Sequence, residues 1–365
     1  MKRIDYLRYH KQEYFYKEQE HLFSKLWIYA AAVPEFDQTQ SSYVLINSPI
    51  GEVIITKEND QFNAFYNKCL HRGHPIVSEP YGPLRLICPY HCWSYESNGH
   101  VKNIPFAEKM YGLNQSEISQ MSLKKLSIKQ LGDFLFINGD DFPIDIEEQF
   151  GEEVLNNLNK TKGMLNKTFA SLSIELNFNW KLIFENLRDC VHPLYLHPTS
   201  LTQEVDFFAT FKEPVINNQP ITELAELSNF SRDGENKLPP EKYKSEFMCC
   251  DDGKSYLNWL LFPYTHIPSP DGGTLFAVEN FVPISPNKTR LDLSFFITQA
   301  TGKTPSLAVF YEWFEKAKVV LKEDFVAVEG LQKQIENGQD MQNLGDYENQ
   351  NVRINEFLDR EVYAK

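Results

Sequence analysis

Two short clusters of metal-ligating side chains, Cys69-x-His71 and Cys88-x-x-His91, stand at the ends of CLHRGHPIVSEPYGPLRLICPYHCW, residues 69–93. Thiolate and neutral imidazole both suit zinc and iron–sulfur centres. Any fold this chain adopts must therefore bring these two loops together. Structural zinc modules usually place two cysteines in one loop and two histidines in another. Here each loop delivers one of each, which disfavours the zinc reading without removing it. Two equivalent Cys/His loops match instead a [2Fe–2S] centre in which histidines replace two cysteines on one iron, which raises its reduction potential.

The surroundings of the clusters are β-like. SYVLINS, EVIITKE, FNAFYN, LRLICPY and DFLFING are short runs rich in Val, Ile, Phe and Tyr, separated by turn residues. They predict a small all-β domain over about residues 40–145, with both ligand pairs in its loops. Residues 10–28 carry Phe15, Glu18, His21, Leu22 and Leu26 at helical intervals, and 147–163 reads as a hinge or connecting helix. SLSIELNFNW (171–180) alternates, placing Leu172, Ile174, Leu176, Phe178 and Trp180 on one face of a strand. A helix follows from Lys181, further strands are expected at 204–212, 256–262, 273–283 and 289–299, and a long helix over about 306–336. The polar stretch 332–351 reads as a solvated helix end and loop. The second half is thus α+β, with helices beside an antiparallel sheet.

With 27 Phe, 18 Tyr and 42% hydrophobic residues over 365 positions, the chain has material for two domains with sizeable cores. A net charge of −14 argues against nucleic acid as the main partner. The opening MKRIDYLRYHKQEYFYKEQEHLF has no uninterrupted apolar stretch of the secretory kind, and no run reaches the length of a membrane span. Six cysteines are too sparse for a disulfide framework, so the expected setting is cytoplasmic, with a small molecule as substrate.

A second group of candidate ligands lies in NWKLIFENLRDCVHPLYLHPTS, residues 179–200, with Asn186, Asp189, His192 and His197. Residues five apart on a regular helix point about 140° away from each other. Pro193 disfavours helical geometry at His192, so a break there lets the two imidazoles converge. Without the break, one is a core histidine and the other a surface one. On the long helix, Leu307, Phe310, Phe314, Ala317, Leu321, Val328, Leu331 and Ile335 trace a seam whose single polar member is Asp324. A carboxylate on a buried seam needs a partner or a metal; the alternative is a bend that brings it to solvent. Two imidazoles and a carboxylate form the facial triad of non-haem Fe(II) oxygenases, and Glu323 is the adjacent fallback ligand.

Cys69-Leu70-His71-Arg72-Gly73 followed by Cys88-Pro89-Tyr90-His91-x-Trp93 resembles the Rieske motif of ring-hydroxylating oxygenases, with Cys92 where the family usually has Gly. Glu185-Asn186, Asp189, His192, His197 and Glu323-Asp324 are similar to the catalytic half of the same family. The resemblance, spanning about residues 10–335, implies Cys69 and Cys88 on one cluster iron and His71 and His91 on the other. It implies a mononuclear Fe(II) on His192, His197 and Asp324, and Asp189 as a carboxylate linking a mononuclear-iron histidine to a Rieske histidine of a neighbouring subunit. It implies an N-terminal helical segment (1–39) packed on the catalytic domain, an all-β [2Fe–2S] domain (40–150) and a helix-grip-like catalytic domain (151–365).

The implied assembly is a head-to-tail homotrimer. The implied reaction uses O2 and electrons from NAD(P)H, delivered by a separate ferredoxin or flavin reductase, since no dinucleotide fingerprint follows a strand here. Its outcomes are hydroxylation or dihydroxylation of an aromatic or small organic acid. The alternatives are oxidative demethylation of a quaternary ammonium compound and, from a different class, an electron carrier without its own catalysis. The substrate is expected near Phe207, Phe208, Trp259, Phe262 and Phe281. His74 is expected to have no ligand role, and Cys92 to be buried beside the cluster as a small apolar side chain.

Overall fold

The computed structural model describes residues 1–36, 41–189, 191–201, 219–220, 222–231, 255–269, 273, 275–298 and 307–365. The chain divides into two compact units, Ser24–Pro143 and Met1–Phe23 with Ile144–Lys365.

The first unit is built on a seven-stranded antiparallel sheet. Its order is Ile28–Ala32, Phe134–Asn138, Lys125–Leu131, Gln61–Tyr66, Gly51–Glu58, Ser41–Ser48, Tyr81–Pro83. A three-stranded sheet of Leu86–Ile87, Ser94–Tyr95 and Val101–Asn103 carries the second ligand loop between its first two strands. Cys69, Cys88, Trp93 and Tyr95 share an apolar core with Ile54, Phe65 and Ile104.

Two expectations change here. Ile28–Ala32 is buried along its whole length and pairs with Phe134–Asn138, so residues from 24 onward join this unit and not the preceding helical segment. The helical segment accordingly ends at Phe23, where the expected helix 10–28 gives way. The strand expected over LRLICPY keeps only Leu86–Ile87, because beyond it the Cys88 amide turns to the Trp93 carbonyl and Pro89 has no amide to pair.

In the second unit the N-terminal strand Lys2–Asp5 pairs with Met341–Leu344, inside the stretch expected as helix end and loop. Glu18, on the first helix, is fully buried. It accepts hydrogen bonds from Trp180 Nε1 (2.9 Å) and the Tyr363 hydroxyl (2.6 Å), and pairs with Lys181. Breaking such a buried pair by removing one partner costs about 3–5 kcal/mol, so it ties the N-terminal helix to residues 180–181 and to the C-terminus.

The main elements are β1 (Leu165–Leu176), α1 (Trp180–Arg188), α2 (His192–Leu196), β2 (Ala225–Ser231), β3 (Ser255–Leu261), β4 (Thr265–Ser269), β5 (Leu275–Ser285), β6 (Lys288–Thr298) and α3 (Leu307–Glu336). The antiparallel sheet runs β1-β6-β5-β4-β3-β2, with Gln219–Pro220 beyond β2. β4 divides the region the sequence reads as two strands, and the strand expected at 204–212 lies outside the described residues. β1 stops at Leu176: Ile174 is exposed, while Phe178 is buried in the turn and Trp180 begins α1. Asn179 ends the alternation by capping α1, its side chain accepting from the Lys181 amide at 2.9 Å.

Candidate metal centres and cavity

The two loops of the first unit share one backbone plan. Gly73 donates its amide to the Cys69 carbonyl (2.8 Å) and Cys92 to that of Cys88 (2.9 Å). The cysteine amides in turn donate to the carbonyls of His74 and Trp93, both at 2.9 Å. Gly73 and Cys92 occupy the same place in their loops, and both lie in the left-handed region, at φ 74° and 56°. Glycine is the natural residue there, and another side chain costs on the order of 1–2 kcal/mol. Cys92 is exposed, not buried as expected, because this conformation turns it away from the core.

The four candidate ligands separate by type. Cys69 and Cys88 are buried, while His71 and His91 are part-exposed with their Nδ1 atoms 3.2 Å apart. Two nitrogens on one tetrahedral metal, each about 2.1 Å from it, lie about 3.4 Å apart. Burial pushes the Cys69 thiol up, opposed by the Tyr95 hydroxyl 3.0 Å from its sulfur. The donor set therefore fits a two-iron cluster with a thiolate pole inside and an imidazole pole facing out. His71 stacks on Trp93 with ring centroids 5.2 Å apart, which fixes its plane. His74 is exposed, and its Nδ1 donates to the Pro75 carbonyl (2.7 Å).

In the second unit α1 ends at Arg188, before the expected break at His192, and Asp189 leaves helical geometry at φ −77°, ψ 109°. His192 opens α2 and Pro193 sits in its first turn, where a missing amide costs little. His197 follows the end of α2 at φ −115°, ψ 42°. The rings come to 5.3 Å, and α3 inserts Asp324 between them. Asp324 Oδ1 lies 3.0 Å from His197 Nε2 and 3.4 Å from His192 Nε2, and Asn186 Nδ2 donates to it at 2.8 Å. Among the described residues this is the one group of three such donors mutually within 4.8 Å.

The outward nitrogens are held as well. His192 Nδ1 donates to the Asp189 carbonyl (2.7 Å), and His197 Nδ1 to Glu323 Oε2 (2.7 Å), which also accepts from Ser200 Oγ (2.6 Å). Both imidazoles thus present Nε2 to the centre. Within this chain it is the carbonyl of Asp189 that holds His192, whereas its carboxylate lies 3.9 Å from that ring and caps Val191 N. Burial raises the Asp324 carboxyl, but where their Nε2 atoms are protonated, His192 and His197 donate to it and bring it to about 2. A permanent carboxylate flanked by two fixed imidazoles fits a divalent iron. On α3 the buried positions include Leu321, Asp324, Val328 and Ile335; Leu331 is exposed, and Gln332 faces inward in its place to accept from Asn179 N.

Beside the triad lie a cavity of about 60 Å³ touching His192, His197 and Asp324, and one of about 110 Å³ touching Asp324, Tyr256, Phe295 and Trp313. Of the expected substrate-lining aromatics, Phe207 and Phe208 lie outside the described residues. Trp259, Phe262 and Phe281 line neither cavity. Alternation along β3 explains the first: Tyr256 and Asn258 face the cavities, and Trp259 packs on Phe276 at 5.6 Å. Phe262 packs against Trp180 and Phe184, and Phe281 is fully buried beyond the cavity on β5. The sequence reading missed Tyr256, His266, Glu279, Phe295 and Trp313. His266, the one titratable residue of β4, was the available signal.

Residues 166–362 match the family described as ring hydroxylating alpha subunit (catalytic domain), and residues 27–124 match the Rieske [2Fe-2S] domain. A carnitine monooxygenase oxygenase subunit of Acinetobacter baumannii is 31% identical over 198 residues, 52% of this chain and 51% of that protein. The chain thus aligns with about half the length of that relative. The alpha subunit of a 2-aminobenzenesulfonate 2,3-dioxygenase from Alcaligenes sp is 27% identical over 301 residues, 78% of this chain and 72% of its own length. A crystal structure of the quaternary ammonium Rieske monooxygenase CntA superposes with a TM-score of 0.77, at 20% identity, over 98% of this chain and 95% of that one.

Proposed function

Because the chain belongs to the family of ring-hydroxylating alpha subunits with a Rieske [2Fe–2S] domain, we propose that it is the terminal oxygenase of a multicomponent system. The observation that carries this is the convergence of His192, His197 and Asp324 beside a cavity. In this reading Cys69, Cys88, His71 and His91 hold the cluster, and the triad holds a mononuclear iron. The cluster supplies electrons one at a time, and the iron supplies open coordination positions for O2 beside the substrate.

The protein's own part is positioning. Glu323 and the Asp189 carbonyl keep both imidazoles in the Nδ1–H tautomer, and Asn186 steers the inner oxygen of Asp324. Glu323→Gln is expected to lower iron affinity at the triad about 10–100-fold while sparing the cluster. Chelator competition followed by separate assay of the mononuclear iron and the cluster iron checks this. Unchanged affinity would reduce Glu323 to a surface carboxylate.

Electrons come from NAD(P)H through a separate ferredoxin or flavin reductase. Asp189 would link a Rieske histidine of the adjoining subunit to His192 in a head-to-tail trimer, and the dependence on NAD(P)H fits a cytoplasmic enzyme. A solved relative, described as a quaternary ammonium Rieske monooxygenase, is reported to show inter-subunit electron transfer, which supports this arrangement. The substrate is a small organic molecule, an aromatic or organic acid to be hydroxylated or dihydroxylated. A second reading, oxidative attack on a quaternary ammonium compound, is favoured by the carnitine monooxygenase relative; the aminobenzenesulfonate dioxygenase favours the first.

The test is anaerobic purification with a surrogate reductase. Expected are brown protein, a Rieske-type EPR signal on reduction, and O2 uptake coupled to NADH oxidation only with certain substrates. A colourless zinc protein would refute the reading.

A further inference from the structure

We infer that Glu279 is the specificity-determining counter-ion for a substrate carrying a cationic nitrogen. The inference rests on the oxygenase reading and chooses between its two substrate classes. Asn258, His266 and Glu279 lie on the neighbouring strands β3, β4 and β5, and His266 stands in register with Glu279. All three are more than nine-tenths buried. His266 Nδ1 donates to Glu279 Oε2 at 2.8 Å, and its Nε2 lies 2.5 Å from Asn258 Oδ1. Both ring nitrogens are therefore engaged, and the imidazole holds the carboxylate in one orientation.

The row faces the triad. His266 lines both cavities, Asn258 the smaller and Glu279 the larger, and Asp324 lines both. Glu279 Oε1 accepts no hydrogen bond among the described residues. That oxygen is the one available to a polar or cationic group entering the cavity. Tyr256 and Phe295 also line the larger cavity. Aromatic faces attract an organic cation, and most strongly when it is desolvated. A negative charge beside them adds to that attraction and opposes an organic anion. Lys316 also lines this cavity, with its ammonium 5.2 Å over the Trp313 ring. Among the described residues the ion-pair partner of Glu279 is His266, at Oε2, which leaves Oε1 for a ligand. His266 acts through Glu279 as a positioning residue.

Isothermal titration of the iron-loaded full chain with choline and its uncharged isostere 3,3-dimethylbutan-1-ol tests this. Choline is expected to bind at least about tenfold more tightly to the unmodified protein, and Glu279→Gln to bring the ratio below about twofold. Absence of choline binding, equal affinity for the two, tighter binding of benzoate, or an unchanged ratio in a folded Glu279→Gln would each overturn the proposal. The comparison on the unmodified chain stands even if the variant does not fold. Binding is read without turnover, so a chain without oxygenase activity would sink the functional reading while leaving this one to be judged by the isosteres.

Discussion

Asp324→Ala is expected to yield a protein with the visible spectrum of an intact [2Fe–2S] cluster, about two irons per chain instead of about three, and no substrate-dependent O2 uptake. Asp324 is buried on α3, with its Oδ1 meeting His197, His192 and Asn186 at once. Removing it leaves two imidazoles and no anion, too few donors to retain a divalent iron against a chelator. Glu323 cannot replace it, because adjacent helical residues point about 100° apart. Its carboxylate is also committed to His197 Nδ1 and Ser200. Alanine is the best helix former, so α3 itself should persist. Metal analysis with the visible and EPR spectra decides the matter: three irons retained would reject Asp324 as a ligand.

Much of this centre is legible in the sequence because its ligands are local or conspicuous. The cluster ligands lie in two loops that share a single backbone plan, and the one irregularity, Cys92 in place of a second glycine, becomes intelligible from its positive φ. Asp324 stands out as the polar member of an apolar seam. What the sequence hides is assembled across strands. Asn258, His266 and Glu279 meet through pairing of β3, β4 and β5, and no local spacing announces such a register. The aromatic residues expected in the substrate site failed for a related reason. Composition marks β3 and β5 as aromatic-rich, but whether a ring faces the cavity or the core depends on its parity and on where the strand ends. Ile28–Ala32 shows the same limit at domain scale, since its partner strand lies a hundred residues onward at Phe134–Asn138.

Asp189→Asn separates two roles that one residue combines. The carbonyl of Asp189 holds His192 Nδ1 at 2.7 Å, and a backbone acceptor survives any side-chain change. The side chain accepts from Val191 N through Oδ1 at 2.7 Å, which an asparagine oxygen can reproduce. The iron site and the break between α1 and α2 should therefore remain, and the iron count and both spectra should match the unmodified protein. The change removes the negative charge from a part-exposed side chain at the edge of the smaller cavity. If that carboxylate accepts from a Rieske histidine of the adjoining subunit, losing it weakens the contact and the electron path together. Steady-state turnover should fall by at least about a hundredfold, some 2.7 kcal/mol in barrier. In a stopped-flow experiment, the pre-reduced variant mixed with substrate and O2 should reoxidise its cluster correspondingly slowly. Reoxidation at the unmodified rate would dismiss Asp189 as the bridge. A variant that loses its mononuclear iron would instead show that the side chain, and not the carbonyl, sets the position of His192.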